Sequence, residues 1–364
     1  MAACASRLSA LALALLLASC APDAPPPVRP RLVLLYAPCT VARDFLAPYR
    51  PEITSTPNLA AFARAGVVMR THVTETAQSG VAYAALLTGT QADRHGIYFH
   101  PNRLADENLT LAEAYAAAGY ETWFWSGQPM ACAELGYGQG IPGEHTYAHE
   151  PGFRAKPQAL TPALLRTLSA NDKEFKALVQ RVAADPEAHA FVQVCFTVSH
   201  EPYHQYATED EIAAYCEGFP AEAHGVTRAE LRRWLPVYEE HRQRLNWDLP
   251  AARAELGLDE AQLARLAAVI EVAYRTCLAK LDGYFGHVLQ IVEAAGLTDE
   301  SLVCFTSDHG EFLWRPNAIF PWTHGMELAP EELYIPWIVR APGLAPRTLE
   351  AVTRSIDVFP TLLG

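Results

Sequence analysis

Asp308 and His309 are adjacent, a carboxylate beside an imidazole, and they directly follow the apolar run Leu302, Val303, Cys304, Phe305. Such a run, closed by turn residues, reads as a strand buried on both faces of a parallel sheet. Ligands in these sheets sit beyond the carboxyl ends of the strands. There Asp308 and His309 can hold a divalent cation, with Gly310 allowing a tight backbone turn. The competing explanation is a capping aspartate followed by a surface histidine. A second chemical stretch is Ser79-Gly80-Val81-Ala82-Tyr83-Ala84-Ala85-Leu86-Leu87-Thr88-Gly89. It places Ser79 at or before the first turn of a helix, where backbone N–H groups and the helix dipole favour an alkoxide or a bound oxyanion. A serine there can equally be a plain N-cap. His200 and His204 follow the apolar segment 190–198, and His324 lies in Trp322-Thr323-His324-Gly325. The first two are candidate substrate or metal ligands, or simply solvated loop residues.

The elements that would position these groups alternate along the chain. Segments 31–36, 67–69, 121–125, 190–198, 302–305 and 335–340 read as strands. Segments 57–66, 84–88, 109–119 and 267–296 read as helices, the last with breaks. Thr56 is expected to cap the first of them, with Pro57 at its first position. The fold class expected is α/β, a mostly parallel central sheet with helices on both faces. Residues 207–265, rich in Glu, Arg and Ala, read as a helical insertion whose charges are solvated faces.

The 364 residues are half apolar and carry a net charge of −13. A large core is therefore available, and nucleic acid, which calls for a basic patch, is not the expected partner. Residues 1–20 read as a signal peptide, with Arg7 ahead of an apolar stretch too short to span a bilayer. Leu17-Ala18-Ser19-Cys20 resembles a bacterial lipobox, which would lipidate Cys20; an ordinary secretory signal cut nearby is the alternative. The proline-rich residues 21–30 would form a tether. The expected location is the bacterial periplasm, membrane-anchored through Cys20. Of the other cysteines, Cys195 and Cys304 fall in core strands and read as small buried hydrophobes.

Together these pieces resemble the sulfatase-like branch of the alkaline phosphatase superfamily, from about residue 30 to the last residue. The resemblance rests on Thr56-Pro57-Asn58, Ser79 with the helix to Gly89, Arg94-His95-Gly96, His200-Glu201-Pro202-Tyr203, Thr306-Ser307-Asp308-His309-Gly310-Glu311, His324-Gly325 and Asp357-Val358-Phe359-Pro360. It implies a catalytic domain over 31–364, short of the small C-terminal subdomain usual in the family. It implies Ser79 as nucleophile, Asp308 and His309 as metal ligands, and His200 and His324 as ligands of the substrate oxyanion or of a second metal. The cofactor would be one divalent ion (zinc, manganese or calcium), and the substrate an anionic ester such as a lipid head group or a glycan. Three departures stand out. Pro38-Cys39 replaces the usual aspartate pair after the first strand, leaving Cys39 as a soft ligand and Asp44 as a substitute. The stretch after Ser79 lacks the proline and arginine of the formylglycine signature. Ser126-Gly127-Gln128-Pro129 replaces a motif whose lysine and histidine grip sulfate. An unmodified Ser79 suits phosphoester chemistry better, and the motifs around His200 and His324 also resemble bacterial phosphoethanolamine and phosphoglycerol transferases. A sulfatase, and an inactive fold kept for binding, are the alternatives.

Overall fold

The structure, a computed structural model, describes residues 29–148, 172–315 and 318–364. Four apolar segments form adjacent parallel strands: β1 (Leu32–Tyr36), β3 (Glu121–Ser126), β5 (Ala190–Cys195) and β6 (Ser301–Phe305), in the order β3-β5-β1-β6. Helices cover both of their faces. Val33, Leu35, Leu302 and Cys304 face one apolar layer, while Leu34, Tyr36, Val303 and Phe305 face the other. That is why the strands read as unbroken apolar runs rather than alternating ones. Cys195 and Cys304 are buried and unpaired within this core, as expected.

The sheet has nine strands, and the side beyond β6 departs from a purely parallel pattern. The segment expected as one strand at 335–340 is divided by Pro336 into β7 (Tyr334–Ile335) and β8 (Ile338–Arg340). β8 runs antiparallel between β6 and β2 (Val67–Val73), and β7 also pairs antiparallel with β2. β4 (Thr146–Ala148) and β9 (Arg347–Arg354) complete the sheet. β9 is a largely exposed, charge-bearing strand with no apolar run to announce it.

Helix α1 (Pro57–Arg64) starts at Pro57 with Thr56 at the N-cap position, as expected, but the Thr56 hydroxyl accepts from the Ala47 amide rather than from the helix. The orphan amides of Asn58 and Leu59 are satisfied by the Asp282 carboxylate, at 3.0 and 2.7 Å. Asp282 lies on α8 (Glu260–Ala294), which is continuous over the stretch expected to be broken. Two glycines sit inside that helix for different reasons. A Cβ at Gly286 would meet the Asn58 side chain at 2.4 Å, whereas Gly283 is exposed with nothing within 4 Å. The insertion is helical, as α5 (Glu209–Gly218), α6 (Arg228–Trp247), α7 (Leu249–Leu256) and the start of α8. Its faces are not all solvated: Leu231, Trp234, Tyr238 and Leu245 of α6 are buried.

Two alanine substitutions in α8 are expected to act in opposite directions. Gly286→Ala forces the Asn58–Asp282 clamp apart and lowers unfolding stability by about 1–3 kcal/mol. Gly283→Ala removes only backbone freedom and raises it by about 0.5–1 kcal/mol. Urea denaturation of the two variants checks both signs.

Candidate active site

Each of the four parallel strands delivers one part of the site from its carboxyl end. β1 leads to Cys39, β3 to Gln128, β5 to His200, and β6 to Asp308 and His309. The turn after β1 is fastened to the turn after β6. The Ser307 hydroxyl donates to the Pro38 carbonyl at 2.7 Å and accepts from the Val41 amide at 3.1 Å, while the Thr40 amide donates to Asp308 Oδ1 at 3.1 Å. Thr40 holds φ at 58°, a costly conformation for a β-branched residue. The Tyr274 hydroxyl on α8 donates to the Thr40 carbonyl at 2.8 Å and helps keep it there.

Ser79 opens helix α2 (Ser79–Thr88) across from this turn. It is not the N-cap; Gln78 occupies that place, and the Ser79 side chain points into the site. Ser79 Oγ lies 3.1 Å from His309 Nε2, 3.4 Å from Cys39 Sγ and 3.1 Å from Gln128 Nε2. His309 Nδ1 faces the Gly310 carbonyl at 2.8 Å, and a carbonyl only accepts, so Nδ1 carries the proton. Its Nε2 lone pair therefore points at Ser79. Gly310 is needed for a close approach rather than a tight turn: a Cβ there would lie 2.0 Å from the Glu331 carbonyl oxygen.

Cys39 Sγ, an Asp308 carboxylate oxygen and a His309 ring nitrogen lie within 4.8 Å of one another, all buried. Asp308 Oδ2 has no hydrogen-bond partner and sits 3.5 Å from His309 Nε2. A buried carboxylate oxygen and an imidazole lone pair converging in this way fit a cation, and a thiolate third ligand suits a soft one. Asp44 is not part of the group. It lies in a 3₁₀ turn at Arg43–Phe45 and pairs with Arg43 at 3.3 Å and Arg50 at 3.5 Å. Cys20 lies outside the described residues.

His200 and His324 reach the same place from the other side. The His324 ring centroid is 4.7 Å from that of His200 and 4.4 Å from that of His309. His204 turns away, toward Glu239 of α6. Glu311, quoted above only as part of a motif, lies with an oxygen 3.0 Å from His324 Nδ1 and orients that ring. Burial pushes its carboxyl up to about 8. Burial drives His309 down to about 4 and His324 down to about 3, so both imidazoles are neutral near pH 7. His100 was not foreseen either. A Cβ on Gly80 would come within 2.9 Å of the His100 Cβ, which places this imidazole over the start of α2, with its Nδ1 unpartnered. Its sequence signal was weak, because the short run Ile97-Tyr98-Phe99 before it forms neither helix nor strand.

The helical insertion buttresses the loops that carry His200 and His324. Arg242 on α6 pairs with Glu201, next to His200, and Asn246 donates to the Trp322 carbonyl at 3.0 Å, two residues before His324.

The family pattern for sulfatases matches residues 40–364, and the chain belongs to the sulfatase family. It is 23% identical over 374 residues to the multifunctional alkaline phosphatase superfamily protein PehA of Trinickia caryophylli, covering 86% of this chain and 68% of that protein. It is 26% identical over 330 residues to the N-sulphoglucosamine sulphohydrolase of Homo sapiens, covering 86% of this chain but only 57% of the human protein. The phosphonate monoester hydrolase of Agrobacterium radiobacter has the same fold, with a TM-score of 0.58 at 21% identity over 92% of this chain and 73% of that one.

The buried histidines set an acid limit on stability. The unfolded chain protonates His324 near pH 6.5, whereas the folded one resists until about 3. The unfolded state thus binds the extra proton in that window, and stability falls as pH falls through it. In His324→Gln the stability lost per pH unit between about 6 and 4 should be smaller by about 1.4 kcal/mol, one proton's worth. Urea midpoints of both proteins at several pH values measure the difference.

Proposed function

We propose that the protein is a metal-dependent hydrolase or head-group transferase acting on phosphoesters, with Ser79 as the nucleophile. The observation that carries this reading is the convergence of Ser79 Oγ, His309 Nε2, Cys39 Sγ and Asp308 on one buried point at the start of α2. In this reading Ser79 Oγ forms a bond to phosphorus while the ester P–O bond breaks in line, and water or an acceptor alcohol later cleaves the phosphoserine. The first-turn amides of α2 and the His324 imidazole would then donate to the phosphoryl oxygens, with His200 beside His324 on the same side. Cys39, Asp308 and His309 would hold the divalent ion, which when bound supplies charge neutralisation. The Cys39 sulfur favours zinc over calcium in that role. The multifunctional and phosphonate-hydrolysing relatives support chemistry at phosphorus.

Hydrolysis of a sulfate ester, on a glycan for example, is the second reading, favoured by the human sulphohydrolase among the relatives. Against it stand the unmodified-type surroundings of Ser79 and the neutral Gln128 where the sulfate-gripping lysine is usual. The lipobox around Cys20 supports a periplasmic enzyme tethered at a membrane surface, where lipid head groups would be the substrate.

Purified protein is expected to carry about one zinc, and Cys39→Ser, which removes a ligand, to weaken zinc binding by at least the roughly 10–100-fold that loss of a ligand's supporting partner brings. Aryl phosphate mono- or diesters should turn over, and Ser79→Ala should lose about 10³-fold or more of kcat. Release of sulfate from an aryl sulfate, with a formylglycine mass at Ser79, would instead establish the second reading. A metal-free protein inert to both esters would leave only a binding role.

A further inference from the structure

Gln128 is 3% exposed and has no counterpart among the roles considered so far. It stands just past the end of β3. Its carboxamide is fully engaged. The Met130 amide donates to Oε1 at 3.0 Å, which settles which end of the carboxamide is oxygen. Nε2 then has two hydrogens and two acceptors, Cys39 Sγ at 3.0 Å and Ser79 Oγ at 3.1 Å.

This arrangement constrains the serine. Because Ser79 Oγ accepts from Gln128, its own single proton must go elsewhere, and the acceptors within reach are His309 Nε2 at 3.1 Å and Cys39 Sγ at 3.4 Å. Gln128 thus holds the serine oxygen through a donor whose own plane is fixed by the Met130 amide. Lysine at the same place would supply charge but no acceptor for the Met130 amide, and so no fixed plane.

We infer that Gln128 is a positioning residue that sets the rotamer of the Ser79 hydroxyl, while holding Cys39 against the same amide. This rests on the reading of Ser79 as the nucleophile. The role is orientation and not charge, since a carboxamide stays neutral throughout. When the hydroxyl reacts, the Gln128 N–H remains on the oxygen and keeps one of its lone pairs occupied, leaving another for the incoming group.

Two substitutions in the full chain test it. Gln128→Met fills the space without a donor, and Gln128→Glu keeps the shape but presents oxygen where the N–H stood. Both are expected to lower kcat on whichever aryl ester the wild type turns over by about 10–100-fold, with KM changed less than about threefold. A crystal structure of either should show Ser79 Oγ turned away from His309 Nε2. A packing role alone predicts that the isosteric Gln128→Glu keeps both kcat and the serine rotamer, and that result overturns the inference. If the wild type turns over no aryl phosphate or sulfate, the nucleophile reading falls, and the Ser79 rotamer in the two variant structures still decides what Gln128 does.

Discussion

The bond from the Thr40 amide to the Asp308 carboxylate closes the distance between the two ends of the chain at which the site is made. β1 and β6 are adjacent and parallel, with Tyr36 paired to Phe305, so their carboxyl ends come out side by side. Parallel pairing alone would still leave two independent loops. The Thr40 and Val41 amides and the Ser307 hydroxyl join them into one rigid turn, at the cost of left-handed backbone at Thr40. Strain of this kind persists only when the surroundings over-determine it. Tyr274, reaching in from α8 to both the Thr40 carbonyl and the Ala42 amide, is the means by which they do so.

The chemistry that results differs from what a pair of aspartates after β1 would give. A thiol replaces a hard oxygen ligand, and the Asp308 carboxylate beside it keeps one oxygen unpartnered in a dry pocket. Burial and then Asp308 push the Cys39 thiol well up, so it would act as a thiolate ligand only with positive charge beside it. The imidazoles nearby are held neutral mainly by burial, which preserves their lone pairs and N–H groups as directional partners. Among the described residues no lysine or arginine is bonded to the Ser79 hydroxyl; the donor it receives is the Gln128 carboxamide, and His309 offers it a lone pair.

Much of this was legible in the residues. The unbroken apolar runs of β1, β5 and β6 identified a buried parallel sheet, and strand-end logic placed Asp308, His309 and His200 on its rim. Ser79 was found because a run of strong helix formers follows it. What escaped was set by tertiary contact. Asp44 looked near to Cys39 in sequence, but a 3₁₀ turn and two arginines carry it away. The division at Pro336 and the antiparallel β8 could not be read, because a short apolar run carries no direction. Gln128 was noticed only for the lysine it replaces, since nothing in a lone glutamine reveals that its amide will lie between a serine and a cysteine. His100 and Glu311 acquire their places from Gly80 and His324, residues distant in the chain or on another loop.

One helix of the insertion, α6, grips the loops that carry His200 and His324, through Arg242 to Glu201 and through Asn246 to Trp322. The two loops are thereby fastened to points about one helical turn apart on a single rod. An excursion in sequence that adds nothing to the Cys39, Asp308 and His309 group therefore serves as a brace, so that neither loop can shift without the other.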